Sequence, residues 1–320
     1  MGEVVAYHGT MKNTDGAKRN QKLAGVACGV GAAVCYGTNP LGALNLYAEG
    51  MTTNSVLFCR FALAWALMSA VLAWRKERVR VSWREFGVVS ALGILFIFSS
   101  LTLYLSFLRM PAGVASTILF TYPIMTVLLM LAAYGERANV VTWASIALAM
   151  AGVALLYWTG EGQTLDAWGV ALVLVSALTY ACYIVIVGKA RLACSSFKIN
   201  WYVLLWCALG MLAYTAVGNA VRPGSLPLAL PATARGWFFV AWLAVVPGIG
   251  ALVMTVYSSK WVGATPTAIL GALEPLTAVV LGVTLFGEPI SARLAVGIAL
   301  ILVSVALVAW GKELARKFKV

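Results

Sequence analysis

The chain has 320 residues, of which 62% are hydrophobic and 11% charged, and its formal net charge is +12. Soluble domains carry about 25% charged residues, and a soluble chain of this length cannot hide so much apolar surface, so the solvent it implies is lipid. The cations lie in short loops rather than on one face, which excludes a nucleic-acid groove binder, and a lone His8 with six cysteines lacking any C-x-x-C pair excludes a metal cluster.

Residues 1–22 are polar. They have no apolar core and no small-residue cleavage site, so they are not a signal peptide and are expected to form a disordered cytoplasmic tail. A membrane-crossing helix needs about 20 mostly apolar residues. Ten such runs follow: 23–48, 54–74, 85–108, 112–134, 140–158, 166–188, 199–219, 236–259, 264–286 and 292–310. Only Arg109-Met110-Pro111 separates the third from the fourth, and proline there favours a tight turn over a continued helix. Residues 311–320 form a second cytoplasmic tail. With the N-terminus inside, the cytoplasmic segments carry eighteen Lys and Arg and the opposite side four (Arg109, Arg222, Arg235 and Arg293), Arg60 remaining within span two. That asymmetry sets the orientation, with both termini cytoplasmic.

The chain also repeats itself. Residues 104–158 align without a gap to 256–310 at an offset of 152, with fourteen of 55 pairs identical, including Pro123 with Pro275, Gly135-Glu136 with Gly287-Glu288, and Trp158 with Trp310. A weaker echo at an offset of 144 matches Gly25, Ala33 and Tyr36 to Gly169, Ala177 and Tyr180. Each copy holds an odd number of spans, so the copies run in opposite directions. The expected fold is an all-α integral membrane protein with ten transmembrane helices in two inverted five-helix repeats, 23–158 and 166–310, joined around 159–166. That architecture belongs to transporters. Gly25-x-x-x-Gly29 and Ala147-x-x-x-Ala151 are small-residue pairs that let helix backbones approach.

Within lipid, a polar or bent position is a clue because it is costly. Glu274 falls at the centre of span nine beside Pro275, where its carboxyl must face protein or water; it either holds a substrate ammonium, carries a proton, or stays protonated against a neighbouring helix. Its repeat partner is Tyr122. Pro123 and Pro275 lie halfway along spans four and nine and are expected to bend them; Pro40 and Pro247 are expected to curve the wall of the same cavity. Arg60, near the outer end of span two, is expected to snorkel to the headgroups, the alternative being attraction of a carboxylate. Asn39, next to Pro40, and Asn45 are polar residues within span one. Trp74, Trp83, Trp158, Trp237 and Trp310 read as an interfacial belt. Tyr104, Tyr122, Tyr180, Tyr183, Trp206, Trp242 and Tyr257 lie deeper, and such rings around one cavity would suit an aromatic cargo. The candidate cavity is therefore Asn39, Tyr104, Tyr122, Tyr180, Tyr183, Trp242, Tyr257 and Glu274, with hinges at Pro40, Pro123, Pro247 and Pro275.

There is no G-x-x-x-x-G-K-[ST] loop to bind ATP and no H-E-x-x-H, nor a soluble segment large enough for a catalytic domain. No catalytic residue, cofactor or metal is expected. Ala33-x-x-Tyr36-Gly37-x-Asn39-Pro40 in span one, Arg60-Phe61-Ala62-Leu63-Ala64 in span two, and Tyr122-Pro123 with Gly135-Glu136 and Glu274-Pro275 with Gly287-Glu288 in the two halves together resemble the drug/metabolite transporter superfamily in its EamA-type branch. Within that branch the chain is most similar to the YddG-type exporters of aromatic amino acids. The resemblance implies a central cavity between inverted halves, alternating access and an inner-membrane location. The function expected is secondary export of amino acids or related metabolites by a monomer, an oligomer being the alternative, whose partners are a small-molecule substrate and the bilayer, with no nucleic acid. A sugar-phosphate or nucleotide-sugar carrier of the same fold, needing several cavity cations, and a membrane scaffold subunit are the alternatives.

Overall fold

The computed structural model describes residues 2–317 apart from 111, 137, 158–165, 191 and 287–291. Trp158, Gly287-Glu288 and most of the connection between the halves lie outside the described residues. The described chain is helical: α1 (Gly2–Gly37), α2 (Asn39–Ala48), α3 (Thr53–Trp74), α4 (Trp83–Ser106), α5 (Ala112–Leu119), α6 (Tyr122–Tyr134), α7 (Val140–Tyr157), α8 (Ala167–Lys189), α9 (Ser196–Val221), α10 (Ala234–Leu243), α11 (Leu252–Trp261), α12 (Ala264–Leu270), α13 (Leu273–Phe286) and α14 (Ala292–Lys317). A π-helical stretch, Ala244–Ala251, joins α10 to α11.

These elements make ten spans. Helices α3, α4, α8, α9 and the run Ala234–Trp261 are each long and apolar enough to cross a bilayer unaided. Spans one, four and nine are assembled from two helices in series: α1 and α2, α5 and α6, α12 and α13. Helix α1 reaches back to Gly2, so the polar stretch expected to be a disordered tail is continuous with span one; it contains no proline to stop the helix.

Packing obeys the inverted repeat. Span three packs on span six (α4 on α8), as span eight packs on span one (α11 on α1). Span four touches six (α6 on α8), as nine touches one (α13 on α1). Span two meets seven (α3 on α9) and five meets ten (α7 on α14). Exchanging the halves maps each pairing onto itself or onto another, which is what a pseudo-two-fold axis in the membrane plane requires.

Local chemistry sets the ends. Ser82 and Glu85 form a capping box that starts α4, satisfying two otherwise orphaned amides. Asp166 and Ser195 cap α8 and α9 through their side chains. Gly135 ends α6 with φ 63°, a left-handed conformation that glycine adopts without strain, and it presents Glu136 to Lys189 as an ion pair between the halves. Trp74 and Trp83 lie exposed at helix ends, as a belt at the interface requires.

Of the two small-residue pairs, one packs and one does not. A methyl on Gly25 would lie 2.8 Å from Val262 Cγ1, and one on Gly29 would lie 2.8 Å from Ser258 Oγ, so this pair seats span one on span eight. Ala147 and Ala151 instead face outward. The tight seam between α7 and α14 runs through Gly152, against Ile301 and the Gly297 carbonyl, and through Ser304 Oγ, which donates to the Ser145 carbonyl at 2.7 Å.

Candidate functional site

The helix breaks converge. Span four is interrupted at Phe120-Thr121 and span nine at Gly271-Ala272, within one position of each other under the 152-residue offset. Pro123 and Pro275 do not bend continuous helices, as expected from sequence; they restart interrupted ones. Pro123 stands in the first turn of α6, where its missing N–H and preset φ cost nothing, and Pro275 stands in the first turn of α13. Pro40 plays the same part after the break at Thr38. Pro247 lies inside the π-helical stretch, where the widened turn accommodates a residue that cannot donate a backbone hydrogen bond.

A small cavity lies at this level, of about 40 Å³, lined by Tyr36, Asn39, Arg60, Phe96, Ser99, Ser100, Leu103, Tyr104, Leu119, Tyr180 and Glu274. A smaller hollow of about 10 Å³ adjoins it, sharing Tyr36, Tyr180 and Glu274 and adding Tyr122, Thr255 and Thr267. Since a cavity needs roughly 10–15 Å³ to hold one water, the centre has room for a few waters and its walls must part to admit a metabolite.

Two repeat-related pairs meet here. Tyr36 and Tyr180, equivalent under the 144-residue offset, contact edge to face with ring centroids 6.1 Å apart. Tyr122 and Glu274, equivalent under the 152-residue offset, line the same hollow. Tyr180 also touches Tyr122 at 5.1 Å and stacks on Tyr183 at 6.1 Å. Tyr183 in turn packs on Phe96 at 5.4 Å, so the rings of the wall are backed by a further aromatic ring.

Arg60 corrects the snorkelling expectation. Seven residues past Thr53, it lies roughly 10 Å along α3 at 1.5 Å per residue, and it is 2% exposed. Its Nη1 donates to Asn39 Oδ1 at 3.0 Å and to Tyr104 Oη at 2.5 Å, and Tyr104 Oη also donates to Asn39 Oδ1 at 3.2 Å. The break at Thr38 is what turns Asn39 toward it.

Of the other expected residues, Asn39, Tyr104, Tyr180 and Glu274 line the central cavity and Tyr122 the adjoining hollow, while Tyr183 lies one layer behind. Trp242 donates from Nε1 to Thr38 Oγ1 at 3.2 Å, bracing the break in span one rather than facing the cavity. Tyr257 packs against Phe197 and Trp261, away from the centre. Besides Arg60, sequence reasoning left Tyr36, Phe96, Ser99, Ser100, Leu103 and Leu119 off the wall. Tyr36 carried a signal, its match to Tyr180; the others are ordinary apolar or small residues within spans.

The two ends differ. At the end richer in Lys and Arg, a vestibule of about 390 Å³ opens between the halves, with Glu136, Asn139, Thr142, Ser145, Lys189 and Thr265 among its walls. The opposite end is stitched by polar contacts between the halves. Arg109 pairs with Asp166 at 3.4 Å, Thr233 donates to Glu49 at 2.8 Å, Arg235 donates to Asn45 at 2.5 Å, and Asn54 donates to the Pro227 carbonyl at 3.1 Å.

Inverted five-helix halves, helices broken partway along their spans and an aromatic-walled cavity at the breaks that carries Arg60 and Glu274 define a membrane transporter. The chain belongs to the EamA-like transporter family, whose model matches residues 23–158 and 167–310, one repeat each. It is 26% identical over 245 residues to "Uncharacterized transporter sll1319" of Synechocystis, covering 72% of this chain and 68% of that one. It is 31% identical over 176 residues to an "Uncharacterized transporter" of Archaeoglobus fulgidus, covering 55% and 59%. It is 26% identical over 206 residues to "Uncharacterized inner membrane transporter YedA" of Escherichia coli, covering 64% of each. A solved crystal structure, 20% identical, superposes with a TM-score of 0.73 over 89% of this chain and 97% of its own, a likeness of fold.

Proposed function

We propose that this protein exports amino acids, aromatic ones above all, across the inner membrane by alternating access at the central cavity. The observation that carries the reading is Glu274: a carboxyl on a broken helix, facing an aromatic-walled cavity, with no ion pair to any described cation. Such a group suits a substrate ammonium, and the Tyr36, Tyr180 and Phe96 rings suit an aromatic side chain. The eighteen-to-four cation count supports a topology with both termini and the vestibule on the cytoplasmic side. The open vestibule and the stitched opposite end then support a conformation that communicates with the cytoplasm. Exposure alternates because a ligand shifts populations through unequal affinity for two states.

A sugar-phosphate carrier would need several cavity cations; among the described residues the central cavity has Arg60 alone, and Lys189 lies in the vestibule. The test is counterflow of labelled phenylalanine, tyrosine and tryptophan in liposomes holding only this protein. Uptake driven by unlabelled amino acid inside, and lost in Glu274→Gln, is the expected result. No movement of any amino acid refutes the assignment of cargo.

A further inference from the structure

Arg60 is a buried cation without a counter-charge. It is 2% exposed, and among the described residues it makes no ion pair. Its hydrogen bonds leave from Nη1 alone, to two neutral groups, and its buried Nε has no partner. The Phe61 and Tyr104 rings lie against the guanidinium at 4.8 and 5.4 Å. Ring faces and neutral acceptors offset only part of the cost of taking such a charge out of water. A guanidinium presents five donors in a planar fork whose geometry matches a carboxylate, and most of this fork is unused.

Arg60 lines the same cavity as Glu274, yet the two opposite charges do not pair. Resting on the reading of that cavity as the transport site, we propose that Arg60 is its carboxylate-binding residue and that the cargo bridges Arg60 to Glu274 as a zwitterionic α-amino acid. The carboxylate sits on the free donors of Arg60, the ammonium on Glu274, and the side chain against Tyr36, Phe96 and Tyr180. Asn39 and Tyr104 are positioning residues that hold the fork open to the cavity. An amine lacking the acid leaves Arg60 unmatched, and a phosphate-bearing cargo sets an anion against Glu274.

The experiment uses the full chain in detergent with four probes: L-phenylalanine, its methyl ester, phenethylamine and 3-phenylpropanoate, with binding read by titration calorimetry. Phenylalanine is expected to bind about 10- to 100-fold more tightly than the ester or the amine, the worth of a hydrogen bond to a charged group. Arg60→Gln is expected to erase that preference while still binding phenethylamine, and Glu274→Gln to do the reverse while still binding 3-phenylpropanoate. A misfolded variant loses both arms, and the wild-type comparison of acid with ester then decides without it. Equal affinity for acid and ester, or binding of none of the four, overturns the assignment. Counterflow separates this inference from the reading beneath it. The crossed binding pattern without movement in liposomes strikes transport and leaves Arg60 in place. Movement of phenylalanine with acid and ester indistinguishable strikes Arg60 and leaves transport.

Discussion

Gly37 ends α1 one residue before the break in span one, and its bare Cα lets span one lie directly on span nine. A methyl group there would sit 2.5 Å from the Glu274 carbonyl oxygen and 2.6 Å from Thr277 Cβ. Ordinary contact begins at 3.4 Å, so α1 and α13 would have to separate by close to 1 Å at the helix that carries Glu274. The obstacle is a backbone atom and a Cβ rather than the far end of a flexible side chain, so rotamer changes cannot relieve it. Overpacking of this kind costs about 1–3 kcal/mol. Gly87, on the exposed side of α4, is the internal control, because a methyl there meets nothing within 4 Å. Gly87→Ala is expected to stabilise by up to about 1 kcal/mol through helix propensity alone. Unfolding of both variants in detergent, followed by circular dichroism or tryptophan fluorescence, measures the pair. The expected result is opposite signs, with Gly37→Ala also slowing counterflow. Equal stability of the two variants, or a Gly37→Ala protein as stable as wild type, would refute the close packing of spans one and nine.

Asn39→Asp places a resident carboxylate beside Arg60; the fold is expected to survive, and phenylalanine affinity to fall at least about tenfold as the internal acid occupies the fork, which titration calorimetry reads. Lys189→Ala breaks a solvated ion pair with Glu136, whose side-chain exposures are 28% and 53%, so stability is expected to shift by less than about 1 kcal/mol in the same unfolding assay. In a cysteine-free background, Lys12→Cys and Lys317→Cys are expected to resist an impermeant maleimide in intact cells and to label after permeabilisation. Labelling of either one from outside reverses the topology.

Sequence alone determined the solvent, the ten spans and the inverted repeat. A bilayer demands about 20 apolar residues per crossing, and the 152-residue echo carries its own register. It also determined that Glu274, Pro123 and Pro275 are misfits in lipid, since each breaks a rule that holds along a single helix. What it could not determine is which side of a span faces protein, because lipid and helix neighbours are equally apolar and packing follows fit rather than hydrophobicity. For that reason Ala147 and Ala151 looked like a seam and are not, and Tyr257 looked like a cavity residue and packs elsewhere. Arg60 is the sharpest case. Seen along its own helix it is near enough to an end to snorkel. Only the tertiary structure brings Asn39 from span one and Tyr104 from span three around it, because the position of three helices relative to one another is a property of no single segment.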